Sequence, residues 1–180
     1  MPGTIRAAVL TVSDRCSRGE TPDISGPALV AMLRERLGAE IVTTSCLPDD
    51  PGTLERCFRD WSDPARAIDL VVSTGGTGLA PRDHTPEAAM RVIDRPHPGL
   101  MELARLRCLP KTPRTFLSRG VAGAARSTLI LTLPGSTRGC TEQLEALLDI
   151  LPHAIETLRG EVKDEGRPGS GTGYGVSGIG

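Results

Sequence analysis

The chain has 180 residues, with 21 basic and 22 acidic side chains and a net charge of −1. That length suits one domain with a substantial core, and the charge balance excludes a broad face for a nucleic-acid backbone. No apolar run is long enough to span a bilayer, and the opening MPGTIRAAVLTVSD has no basic start, apolar signal core or small-residue cleavage site, so a cytoplasmic protein is expected.

Residues 5–12 (IRAAVLTV) are apolar and β-branched and read as a buried strand. Residues 25–38 (SGPALVAMLRERLG) carry Leu29, Val30, Leu33 and Leu37 at helical spacing, with Ser25 as the expected cap, Pro27 in the first turn and Gly38 at the end. Residues 39–47 (AEIVTTSCL) read as a second strand, and 52–63 place Leu54, Cys57, Phe58 and Trp61 on one helical face. Residues 67–74 (AIDLVVST) read as a third strand, followed by helices over 85–93 and 99–108. The stretch 110–126 has no clear period and is expected to be an irregular excursion. Residues 127–133 (STLILTL) read as a fourth strand, and 141–160 as a C-terminal helix, bent or broken before Pro152.

Strands that are continuous apolar runs, alternating with helices, predict a three-layer α/β/α sandwich with a mostly parallel sheet. That domain is expected over residues 1–163. Residues 164–180 (DEGRPGSGTGYGVSGIG) lack the apolar content to order themselves and read as a flexible tail. Its GYGVSG follows no strand and opens no helix, so it is no dinucleotide fingerprint. Cys16, Cys46, Cys57, Cys108 and Cys140 show neither metal-site nor disulfide-framework spacing and read as reduced thiols.

In open α/β sheets, ligands sit outside the carboxyl ends of the strands. The four expected strands run into SDRCSRG, LPDD, STGGTG and LPGS, each bringing carboxylates, hydroxyls or bare backbone. Gly75, Gly76 and Gly78 offer an anion cradle of backbone N–H groups, with hydroxyls from Thr74 and Thr77. A helix starting near Thr85–Pro86 aims its positive end at the same region. Asp83 then stands at the edge of a phosphate site. That arrangement is repulsive unless a cation lies between, and Mg²⁺ suits it. Asp49 and Asp50 at the neighbouring strand end are further oxygen ligands, or caps for the next helix. There is no G-x-x-x-x-G-K-[ST] and no G-x-S-x-G. His84 is placed to act as a base, although a phosphate nucleophile is already ionised and needs none.

The stretches LTVSDRCSRGETPDISGP, STGGTGLAPRDHTPEA and LPGSTRGCTEQLEALLDILPHAIETLRG resemble, in order, the molybdenum-cofactor biosynthesis family, in particular its single-domain molybdopterin adenylyltransferases. The resemblance implies a three-layer α/β fold, commonly trimeric. It implies a reaction in which ATP and molybdopterin give adenylyl-molybdopterin and pyrophosphate with Mg²⁺, the product passing to a molybdenum insertase. It places Asp49 and Asp83 as catalytic, metal-holding carboxylates. Ser13 and Asp14 fall in the family's first loop, and Thr74, Gly75, Gly76, Thr77 and Gly78 in its phosphate loop. Thr85 and Glu87 fall at the following helix start, and Pro134, Gly135 and Ser136 in the last loop. Thr137 stands where many members have proline, and His84 where many have valine. A catalytically silent molybdopterin-binding paralogue is the alternative on the same fold.

Overall fold

The computed structural model describes residues 3–161, so the expected tail, its GYGVSG and the boundary at 163 lie outside the described residues. In chain order the elements are β1 (Arg6–Val12), α1 (Asp14–Ser17), α2 (Ser25–Leu37), β2 (Glu40–Leu47), α3 (Pro51–Trp61), β3 (Leu70–Thr74) and α4 (Thr85–Met90). They continue with β4 (Arg95–Pro96), α5 (Pro98–Cys108), β5 (Ala122–Ala125), β6 (Thr128–Leu133), α6 (Thr137–Glu145) and α7 (Leu151–Arg159). Short 3₁₀ turns lie at Pro64–Arg66 and Pro113–Leu117.

The sheet runs β2-β1-β3-β6-β5-β4. β2, β1, β3 and β6 are parallel, while β5 runs antiparallel to β6 and β4 antiparallel to β5. The central strands are apolar on both sides because both sides are covered. Successive side chains of a strand point to opposite faces. Ala7 and Val9 of β1 accordingly join a core with Leu29 of α2, Met101 of α5, Leu144 of α6 and Leu151 of α7. Ala8, Leu10 and Val12 join a second core with Leu54, Phe58 and Trp61 of α3 and Ala88 of α4. The three-layer, mostly parallel sandwich is therefore the architecture observed.

Three local expectations are corrected, and the break expected before Pro152 is observed. Ser25 is inside α2, not its cap: its hydroxyl is buried, 2.9 Å from Thr137 Oγ1 and 3.2 Å from the Gly135 carbonyl. The start of α2 is instead held by Asp23, whose carboxylate accepts from Gly26 N–H at 3.0 Å. The stretch 110–126 contains β5 and a 3₁₀ turn as well as irregular chain. β5 reads AGAA, too small and unbranched to signal a strand, yet small residues are required: a Cβ on Gly123 would overlap Ile93. Before Pro152 the chain breaks fully, and α6 and α7 are separate helices with Pro152 in the first turn of α7. The helix expected over 85–93 ends at Met90.

At the amino ends of the strands, Arg159 closes the fold. It donates to both carboxylate oxygens of Asp69, at 2.9 and 2.7 Å, and to the carbonyls of Gly3 and Thr4 at 3.1 and 3.0 Å. Asp69 also accepts from Arg6 N–H at 2.7 Å. This fork-to-carboxylate pair ties the last helix to the first residues of the described chain. All five cysteines are free, and no helix among the described residues is long and apolar enough to cross a membrane.

Candidate active site

The carboxyl ends of β1, β2, β3 and β6 open on one side of the sheet and bring four loops together. After β1, Ser13 caps α1, its Oγ accepting from Cys16 N–H at 3.2 Å, and its own N–H donates to the Leu47 carbonyl at 2.9 Å. Asp14 faces the β2 loop: one carboxylate oxygen accepts from Asp49 N–H at 3.1 Å, and the other lies 2.8 Å from Arg82.

After β2, Asp49 turns inward, and one of its oxygens accepts from His84 N–H at 3.1 Å. Burial raises the Asp49 carboxyl above its ordinary range; the His84 N–H opposes this, and the nearby Asp83 and Asp14 charges add to it. Asp50, one residue on, points away and caps α3, accepting from Thr53 N–H at 2.8 Å; that bonding lowers its pKa. Of the two acids, Asp50 is thus the cap, and Asp49 is the one that faces the neighbouring loops. Asp50→Ala is expected to lower the melting temperature by a few degrees through the lost cap while turnover stays near wild type. Thermal unfolding and a rate assay on one preparation check this; a rate loss beyond about tenfold would move the functional acid to Asp50.

After β3 the backbone turns sharply at Gly75 and Gly76, with φ of +102° and +63°. A Cβ at Gly75 would overlap the Val12 carbonyl, and one at Gly76 would overlap Thr85 Oγ1 and the Asp49 carboxylate. Bare backbone at Gly76 therefore makes room for Asp49 and Thr85 beside it. Thr85 N–H donates to the Gly76 carbonyl at 3.1 Å, while its buried hydroxyl has no partner. Asp83 accepts from Ala80 N–H at 3.0 Å and lies against Gly78. The hydroxyls of Thr74 and Thr77 are engaged within the loops, Thr74 donating to the Pro134 carbonyl at 2.7 Å and Thr77 lying 3.0 Å from Ser118 Oγ. Glu87 is paired with Arg119.

After β6, Gly135 packs its backbone against Gly75, and Ser136 caps α6, accepting from Gly139 N–H at 3.1 Å. A cavity of about 500 Å³ opens here, beside Gly78 and Ser136 and between the Pro113–Leu117 turn and α6. Lys111, Arg114 and Arg138 line it. Gln143 stands buried in its wall, donating to Thr115 Oγ1 at 3.0 Å with its carbonyl oxygen unpartnered. Sequence reasoning missed Lys111, Arg114 and Arg119 because they lie in the aperiodic stretch. The signal available there was three cations and no acid within nine residues, KTPRTFLSR.

Among the described residues, no group of three His, Cys, Asp or Glu side chains could hold a metal ion by itself. The donors present suit Mg²⁺ nonetheless, since that ion is usually bound by one or two carboxylates, with substrate phosphates and waters completing its shell. A half-buried Asp49 whose charge is disfavoured, with two further carboxylates near it, is a site that gains from a cation.

Residues 8–153 match the family described as "Probable molybdopterin binding domain". The molybdopterin adenylyltransferase of a Helicobacter pylori strain is 37% identical over 158 residues, covering 87% of this chain and 89% of that protein. The molybdenum cofactor synthesis protein cinnamon of Drosophila melanogaster is 35% identical over 159 residues, covering 88% of this chain but 26% of that protein, so the chain spans about a quarter of its length. The solved structure of the molybdopterin biosynthesis enzyme MoaB from Thermus thermophilus matches with a TM-score of 0.81 at 46% identity, covering 87% of this chain and 98% of that one.

Proposed function

The chain belongs to the probable molybdopterin binding domain family, and from that membership we propose that it is a molybdopterin adenylyltransferase of molybdenum-cofactor biosynthesis. One observation carries the reading. Asp49 lies against Gly76 and Asp83 against Gly78, with Asp14 accepting from the Asp49 N–H, at one end of the sheet and near a cavity lined by Lys111, Arg114 and Arg138. A two-substrate phosphoryl site needs both halves: acids to hold a metal against phosphate, and room with positive charge for a second anionic partner.

In the proposed reaction a phosphate oxygen of molybdopterin attacks the α-phosphorus of ATP. A new P–O bond forms, the α–β bridging bond breaks, and pyrophosphate leaves with the electron pair. Asp49 and Asp83 would hold Mg²⁺, which when bound neutralises phosphate oxygens and the charge developing on pyrophosphate. The chain's own contribution is placement. The Gly75–Gly78 backbone lets phosphate approach, and the Thr85 hydroxyl is a free donor beside Asp49. Ser13, Asp14, Pro134, Gly135 and Ser136 form the neighbouring walls. No base is required, because the nucleophile is ionised at neutral pH.

The enzyme is further proposed to act in the cytoplasm as a homotrimer that hands its product to an insertase. Its free thiols support the compartment. Self-association is supported by Leu106, Leu109, Phe116 and Leu117, exposed together at the end of α5 and the following 3₁₀ turn. Incubation with molybdopterin and Mg-ATP, followed by chromatography, is expected to yield adenylylated pterin and pyrophosphate. Binding of the pterin without either product would mark a silent binder instead. Light scattering is expected to return three chains per particle, and a monomer at micromolar concentration would overturn that part.

A further inference from the structure

Arg119, between the Pro113–Leu117 turn and β5, touches the site at four points. Its N–H donates to the Thr77 carbonyl at 2.7 Å and its Nε to the Gly78 carbonyl at 2.7 Å. Its Nη2 donates to the Asp83 carbonyl at 2.6 Å, and its Nη1 pairs with the Glu87 carboxylate. One side chain thus spans the loop from the glycine turn to the first turn of α4. Its own segment is fixed from behind, since Arg105 Nη2 donates to the carbonyls of Ser118 and Gly120 at 3.1 and 2.7 Å.

The peptide joining Asp83 to His84 makes this contact consequential. In a trans peptide the C=O and N–H point in opposite directions. Here the C=O receives Arg119 Nη2 and the N–H donates to Asp49. Turning this plane would therefore break the bond to Asp49 and move Asp83 together. The same geometry holds at Thr77 and Gly78: with their carbonyls turned toward Arg119, the N–H groups of Gly78 and Leu79 face the other way. A loop with glycine at positions 75, 76 and 78 has more backbone freedom to lose than any other kind. A charged fork on two carbonyls and a carboxylate, with the backbone N–H on a third carbonyl, is the means to hold it.

We propose that Arg119 is the positioning residue of this site, setting the Asp83–His84 peptide so that Asp83 and Asp49 are held together in one geometry. It touches neither substrate in this role, and the inference rests on the adenylyltransferase reading only for its rate arm.

The test uses the full chain with Arg119→Ala and Arg119→Lys. Amide hydrogen exchange read by mass spectrometry is expected to quicken at least tenfold over residues 76–84 in the Ala variant, with β1 and β6 unchanged. Its kcat is expected to fall roughly 30-fold, with KM for ATP and molybdopterin within about threefold, because misplacement of about 1 Å costs rate rather than binding. Lysine, able to replace one bond of the fork, is expected to recover part of the rate. Unchanged exchange over 76–84 would overturn the proposal. So would a kcat within threefold of wild type, a rate loss matched by the unfolded fraction, or a Lys variant no faster than Ala. Should wild type itself not turn over, the functional reading fails, and the exchange arm alone judges Arg119.

Discussion

Asp49→Asn is expected to turn over on the order of 10³-fold more slowly than wild type, yet to melt no lower, and in the direction of higher, once pH is above the window in which Asp49 titrates and Mg²⁺ is left out. The rate loss follows from removing a carboxylate that would hold the metal. That direction follows from the raised pKa of the half-buried carboxyl. A folded chain that binds the Asp49 proton more tightly than the unfolded chain takes up a proton on folding, between the ordinary carboxyl range and the raised value. Stability from this group is therefore full below that window and declines as pH rises through it. Above that window the charged form of Asp49 is the one its surroundings disfavour. Asparagine removes the charge and keeps a carbonyl oxygen for the His84 N–H. The gain should accordingly vanish on acidification below the ordinary carboxyl range, where Asp49 is neutral as well. Melting curves at several pH values, with rates on the same preparations, check both halves. A variant that loses stability at neutral pH, or retains wild-type turnover at saturating Mg²⁺, would remove Asp49 from the role. Asp83→Asn is expected to match the rate loss.

Gly75→Val is expected to cost more than about 4 kcal/mol and to lower the melting temperature by more than about 10 °C. Two independent costs meet there. The φ of +102° is a conformation that valine avoids, and its Cβ would overlap the Val12 carbonyl. Neither neighbour can retreat, because Val12 ends a central strand and Gly75 N–H donates to the Leu133 carbonyl at 3.2 Å across the sheet. Gly38 separates the two costs. It is also left-handed, at φ +61°, but nothing lies within 4 Å of a Cβ built on it. Gly38→Ala should therefore cost only the strain, about 1–2 kcal/mol. Urea denaturation of both variants measures the difference. If the two cost the same, the close approach at Gly75 contributes nothing.

The strands and most helices were legible in the sequence because burial on both faces writes itself as continuous apolar runs, as in IRAAVLTV and AIDLVVST. The convergence of Asp49 and Asp83 on the Gly75–Gly78 loop was legible because strand ends can be counted. What escaped was structure held by tertiary contact. β5 is three alanines and a glycine, a strand because it pairs with β4 and β6, and at Gly123 β4 and Ile93 leave no room for a Cβ. Ser25 looked like a cap because its neighbours in sequence suggest one, but its hydroxyl answers to Gly135 and Thr137, more than a hundred residues away. Arg119 carries no local pattern at all, since its partners at Thr77, Gly78, Asp83 and Glu87 are reached only after β3 and β5 are in place.

The Arg159 cluster bears on how such a domain can be built into larger molecules. By gripping Asp69, Gly3 and Thr4 together, it sets the two ends of the described chain side by side at the pole of the molecule opposite the acids and glycines. A unit whose ends are neighbours can be spliced between other segments, or joined head to tail, with little distortion of its interior. A partner fused at either end would sit beneath the sheet and leave the mouth of the site open to small molecules. Cinnamon, in which the matched region is about a quarter of the length, is a protein in which such a unit adjoins much additional chain.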